Sequence, residues 1–139
     1  MRILFDTNIL LDAILTREPF ATDAAFLLTA VELGQITGFV SATTLTDVYY
    51  LVKRQTRSAE TAFNAVNELL ELMEICTVDR AVLEQAILFD RDDFEDAVQI
   101  ACAIRLGLDA IVTRDVAGFT NSLISIISPE NLKNKLKKS

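Results

Sequence analysis

From end to end the chain alternates short, β-branched apolar runs with longer segments of helical periodicity. Arg2 to Phe5, Ile36 to Val40, part of Glu74 to Val78, Ala110 to Thr113 and Ile124 to Ile127 read as five strands. Such nearly continuous apolar runs mark strands buried on both faces. Parallel neighbours need a crossover of a dozen or more residues, and the intervening helices supply it. The pattern therefore predicts an α/β fold with a parallel sheet covered on both sides. At 139 residues with 51 % apolar content, the whole chain, 1–139, fits one domain.

The helical segments carry their own punctuation. Apolar residues at 9, 10, 13 and 14 predict a helix over Asn8 to Leu15. A second helix is expected to start at Pro19 and to end at Gly34. Ser41, Ser58 and Asp79 are expected N-caps of the next three. Arg91 to Glu95 reads as a charged turn before a helix over Asp96 to Leu106, which Gly107 stops. Pro129 begins a short last helix, expected to fray into a basic tail over 132–139.

Composition narrows the chemistry. The chain has no histidine, which removes His-bearing zinc sites and Ser-His-Asp triads. Its two cysteines, Cys76 and Cys102, sit in apolar surroundings without CxxC spacing and read as buried thiols. No apolar run reaches the roughly 18 residues of a membrane span. No basic region followed by an apolar stretch and a cleavage site opens the chain. A soluble, cytoplasmic protein is expected. A net charge of −7 is unlike a generic nucleic-acid binder. Bound cations or a local basic patch must reverse the field if nucleic acid is the ligand.

Four carboxylates stand where strands end or where helices return to them. Asp6 directly follows the first strand and Asp115 follows the fourth by two residues. Asp47 lies in the helix after the second strand, and Asp96 opens the helix that leads into the fourth. In open α/β sheets, ligands bind outside the carboxyl ends of strands where strand order reverses. Each residue has a plainer reading: Asp6 as a helix cap, Asp47 as a solvated helix residue, Asp96 in a capping pattern with Asp93, Asp115 in a turn. Their joint placement favours one crevice. Carboxylates gathered there repel one another unless a divalent cation lies between them.

Phe5-Asp6-Thr7-Asn8, Asp93-Phe94-Glu95-Asp96-Ala97 and Ile111-Val112-Thr113-Arg114-Asp115 resemble the three signature segments of PIN domains, found in VapC-type toxins of toxin–antitoxin pairs and in related ribonucleases. The resemblance spans Arg2 to Ile127. It implies a three-layer α/β/α sandwich whose central parallel sheet of about five strands has the order 3-2-1-4-5. It also implies that Asp6, Asp96 and Asp115 hold Mg²⁺ or Mn²⁺. Asp47 stands where the family commonly has glutamate, one methylene longer, which weakens the case for its direct contact with metal. Asn8 and Thr113 match polar positions that line the site. Arg114 is a candidate for touching the substrate backbone, or else forms a surface salt bridge. Asp12 and Asp93 are secondary candidates, Asp93 more as a cap.

The implied activity is metal-dependent hydrolysis of RNA phosphodiester bonds. A histidine-free set of aspartates suits hard cations, which prefer oxygen ligands. Lys53, Arg54 and Arg57 form a candidate phosphate-tracking rim, with the C-terminal lysines a second. The implied partners are an RNA substrate, an antitoxin protein and a second copy of the chain. Ala13 to Val31 and the Leu69–Met73 stripe are candidate dimer faces, or else buried core. Two rivals remain: a non-catalytic module on the same fold, and a haloacid-dehalogenase-like phosphohydrolase. The latter needs an aspartate where this chain has Asn8.

Overall fold

The computed structural model describes residues 1–138. Strands β1 (Arg2–Phe5), β2 (Thr37–Ser41), β3 (Glu74–Cys76), β4 (Ala110–Val112) and β5 (Ile126–Ile127) form one sheet in the order 3-2-1-4-5. Every pairing in it is parallel. The central β1 pairs Leu4 with Phe39 of β2 on one side and with Ile111 of β4 on the other. β1 and β4 thus lie side by side and end together.

Alternation along β1 separates two cores. Ile3 and Phe5 face the helices α1 (Thr7–Ile14), α2 (Ala21–Glu32), α3 (Ala42–Thr56), α4 (Ala59–Leu72) and α7 (Pro129–Lys137). Leu4 faces α5 (Arg80–Leu88) and α6 (Phe94–Arg105), where Val82, Ala97, Ile100 and Ala101 pack. Burying both faces of short strands is what their unbroken apolar runs require. Cys76 and Cys102 are buried in this second core as free thiols in mutual contact. Among the described residues, no helix is long and apolar enough to cross a membrane.

The caps act as their side chains predict. Ser41, Ser58 and Asp79 accept hydrogen bonds from the backbone amides of Thr44, Thr61 and Val82. Several boundaries differ from expectation. α2 starts at Ala21, with Pro19 in the preceding turn. α6 starts at Phe94 because Asp93, not a later residue, caps it. A 3₁₀ turn, Val116–Phe119, unforeseen in the sequence, follows β4.

The basic tail does not fray over 132–138: α7 continues to Lys137. Leu132 is fully buried in the first core, and Lys133 bonds Asp23 of α2 at 3.0 Å. The expectation for Ser139 lies outside the described residues. Of the proposed dimer faces, Leu27, Val31, Leu69 and Met73 are buried core.

Candidate metal centre at the carboxyl edge of the sheet

Asp6 leaves β1 at the sheet's carboxyl edge and is buried, 5 % exposed. Its amide still bonds Val112 O at 3.1 Å, extending the β1–β4 ladder by one residue. It occupies the N-cap position of α1, yet its side chain does not cap. The carboxylate turns to the sheet edge instead. Oδ1 accepts from Gln99 Nε2 of α6 at 3.0 Å, and Oδ2 accepts from Thr113 Oγ1 at 2.8 Å. Two donors on opposite oxygens fix its plane.

Thr113 links two of the predicted residues. Its hydroxyl donates to Asp6 and accepts from the Asp115 amide at 3.1 Å. Asp115 itself is exposed, and its Oδ1 caps the 3₁₀ turn through Gly118 N at 3.1 Å. A Cβ at Gly118 would meet the Asp115 carboxylate, so a side chain there would push that carboxylate out of its present position. The turn reading of Asp115 is therefore correct as to local structure and leaves the carboxylate at the crevice. Asp93, Asp96 and Asp115 line one open cavity of about 330 Å³, closed on one side by Arg91. Arg91 holds the rim through Gly118 O at 3.3 Å and Thr120 O at 2.7 Å. Asp93 is spent on the Asp96 amide at 3.2 Å, as a cap.

The electrostatics tie these groups together. Asp96 is pushed up from its ordinary 3.8 to about 7, first by burial and then by the negative charges of Asp93, Asp6, Asp115 and Glu95. Glu95 is likewise pushed up to about 7, chiefly by burial, against a hydrogen bond from Thr7 that favours its charge. Contact with the Asp47 side chain and the charges of Asp47 and Asp6 raise it further. Asp6, Asp47, Asp96 and Asp115 thus share one electrostatic neighbourhood, with Glu95 as a fifth member that sequence reasoning did not single out.

Hydroxyls hold Glu95 in place. Thr7 Oγ1 donates to Glu95 Oε1 at 2.8 Å and lies 3.0 Å from Thr44 Oγ1. Thr44 Oγ1 lies 3.2 Å from Ser41 Oγ, which lies 2.8 Å from Thr43 Oγ1. Each hydroxyl has one proton, so Thr7's donation to Glu95 sets the direction of the others: Thr43 to Ser41, Ser41 to Thr44, Thr44 to Thr7. Gln99 is the other omission. It is fully buried, and its Oε1 has no hydrogen-bond partner. A glutamine inside the apolar run Ala97 to Ala103 was the available signal, because a buried amide needs polar company.

The remaining candidates fall outside this cluster. Asn8 is exposed and accepts from Arg17 Nη1 at 3.5 Å. Arg114 grips the fully buried Asp12 through Nε at 2.6 Å and Nη2 at 3.1 Å. Its guanidinium lies 4.1 Å from the centre of the Phe20 ring, and Asp12 raises its pKa further. The pair pins the β4 loop, and with it Thr113 and Asp115, to α1. Lys53 lies over Tyr49 at 5.9 Å on α3.

Divalent metal suits the donor set, which is all carboxylate, and it suits the charge, which burdens Asp96 and Glu95. The unpartnered Gln99 Oε1 beside Asp6 adds an acceptor that lacks a donor. Among the described residues, no three carboxylates or thiols stand as a ready-made ligand set.

A family model described as PIN domain matches residues 2–117. No curated protein matches the sequence. Among solved structures, a toxin–antitoxin complex from Klebsiella pneumoniae has a chain with TM-score 0.67 and 22 % identity, over 91 % of this chain and 97 % of that one. VapBC-1 from nontypeable Haemophilus influenzae gives 0.68 at 15 % identity, over 94 % and 99 %. VapC20 of Mycobacterium tuberculosis, described as a sarcin–ricin loop cleaving toxin, gives 0.65 at 19 % identity, over 78 % and 86 %.

Proposed function

The chain belongs to the PIN-domain family, and we propose that it is a Mg²⁺- or Mn²⁺-dependent endoribonuclease, the toxin of a toxin–antitoxin pair. The observation that carries this reading is the convergence of Asp6, Asp96 and Asp115 at the carboxyl ends of β1 and β4, close enough that Asp6 and Asp115 disfavour the charge on Asp96. A protein keeps such a cluster at a cost in stability, and a cation offsets it. Support for the substrate class comes from a structural relative described as cleaving the sarcin–ricin loop. Support for a protein partner comes from relatives solved as toxin–antitoxin complexes.

In this reading Asp6, Asp96 and Asp115 hold the metal, with Asp47 beside them. Bound there, the cation supplies Lewis acidity toward a phosphodiester and lowers the pKa of water, so that no histidine base is needed. The chain's own residues do the positioning. Gln99 and Thr113 keep the Asp6 carboxylate from turning back to cap α1. Thr113 also sets where the Asp115 loop leaves the sheet. Arg91 lines the crevice and is the candidate to meet a substrate phosphate, whereas Arg114 is engaged with the buried Asp12. Asn8 lies at the exposed margin. Lys53 and Arg54 on α3, with Arg57 at its C-cap, offer a basic rim for the RNA backbone. The antitoxin is expected to present a basic residue to the acidic crevice, and the active form to be a cytoplasmic homodimer.

The test is cleavage of generic and structured RNA, ribosomal and transfer RNA included, with Mn²⁺ and with chelator. Wild type should cut only with metal, and Asp6→Asn should be inactive while folded. Cleavage that survives both chelation and Asp6→Asn would refute the assignment.

A further inference from the structure

We propose that Glu95 is a metal-binding carboxylate of this site, supplying from α6 the longer arm that Asp47 on α3 lacks. The inference deepens the nuclease reading and rests on it. Glu95 and Asp47 project from different helices and their side chains are in contact. Asp47 is the shorter by one methylene, so of the pair Glu95 has the greater reach. It is also the better held. Thr7, the residue after Asp6, donates to Glu95 Oε1 at 2.8 Å and is itself backed by Thr44, Ser41 and Thr43. That row of hydroxyls fixes one carboxylate oxygen, Oε1, while the carboxyl keeps its contact with Asp47.

A purely structural role does not explain a glutamate here. Glutamine would accept the same hydrogen bond from Thr7 without adding negative charge next to Asp47, Asp96 and Asp6. A carboxylate retained among carboxylates points to a cation as its missing partner. A second observation points the same way. Gln99 lies one helical turn after Glu95, on the same face of α6. It is fully buried, gives its amide hydrogen to Asp6 Oδ1, and keeps Oε1 unpartnered. That oxygen is closed to solvent and stands in the Asp6 neighbourhood as an acceptor without a donor. Glu95, Asp96 and Gln99 then act as a unit from one helix, facing Asp6 on the sheet.

The experiment measures Mn²⁺ affinity of the full-length protein without RNA, by calorimetry and by the electron-spin resonance signal of free Mn²⁺. Glu95→Gln should weaken binding by about tenfold or more, the scale on which site substitutions act. Asp47→Asn should weaken it less than Glu95→Gln. Thr7→Val should weaken it in the same direction as Glu95→Gln, and Thr7→Ser, which keeps the donor, should restore it. Glu95→Gln binding Mn²⁺ within twofold of wild type, while Asp6→Asn has lost it, would overturn the role of Glu95 and leave the nuclease reading standing. Wild type that binds no Mn²⁺ would overturn both.

Discussion

Asp96→Asn should make the metal-free protein more stable at neutral and alkaline pH and no more stable in acid. Asp96 titrates near 7 in the folded chain against an ordinary 3.8. At about 1.4 kcal/mol per pH unit, that difference caps the cost of ionising it at ~4 kcal/mol. The side chain is only half-buried, so solvent screening reduces the cost to about 2 kcal/mol. Asp96 also sits in the first turn of α6, where a carboxylate gains about 0.5 kcal/mol from the helix dipole. The net gain on neutralisation is therefore about 1.5 kcal/mol, or roughly 5 °C in Tm for a domain of this size. The sign follows from linkage. A carboxyl whose folded pKa is raised contributes fully to stability below its unfolded pKa, near 4, and loses that contribution as pH rises through about 7. Differential scanning calorimetry with chelator should find wild type and variant alike at pH 4 and separated by pH 8. Saturating Mn²⁺ should reverse the order, because only wild type gains the full binding energy, about 2.7 kcal/mol at a hundredfold excess over Kd. A variant no more stable than wild type at pH 8, or equally favoured at both pH values, would refute the electrostatic reasoning.

Arg114→Ala should cost about 2–3 kcal/mol in urea unfolding, because it leaves the fully buried Asp12 with only Arg17, whose nearest nitrogen is 3.7 Å away. A loss under half a kilocalorie would mean the pair is a surface ornament. Leu132→Ala should cost about 2–4 kcal/mol, since a fully buried leucine in α7 joins the first core. A frayed tail would give no measurable change in Tm.

The fold was legible where the physics is local. Ser41, Ser58 and Asp79 bond amides three residues on, within the span that a capping pattern reads. Strand and helix periods differ enough that the βα alternation survives small errors of boundary. The order 3-2-1-4-5 came only from the family resemblance, since local patterns do not say which strands are neighbours. The tail was misjudged because Lys133, Lys135, Lys137 and Lys138 dominate its composition, while its structure is decided by Leu132 packing against helices more than a hundred residues earlier. The site was half legible for the same reason. Aspartates at strand ends are conspicuous because strand ends are. Glu95 and Gln99 look like ordinary helix residues until their partners Thr7 and Asp6, 88 and 93 positions away, are brought beside them.

The two sides of this crevice are built to different stiffness, and that difference bears on how a cation is taken up. Asp6 is anchored on the sheet by two hydrogen bonds from buried side chains and has no freedom to reorient without breaking one. Asp115 stands on a short 3₁₀ turn, exposed and held through one oxygen by a backbone amide. Asp96 occupies the first turn of α6 and is half-buried. A rigid carboxylate on the sheet facing adjustable ones on loop and helix is what mutual repulsion favours in the metal-free state, because the movable charges can spread apart without disturbing the core. The same freedom lets them close on a cation once their repulsion is offset.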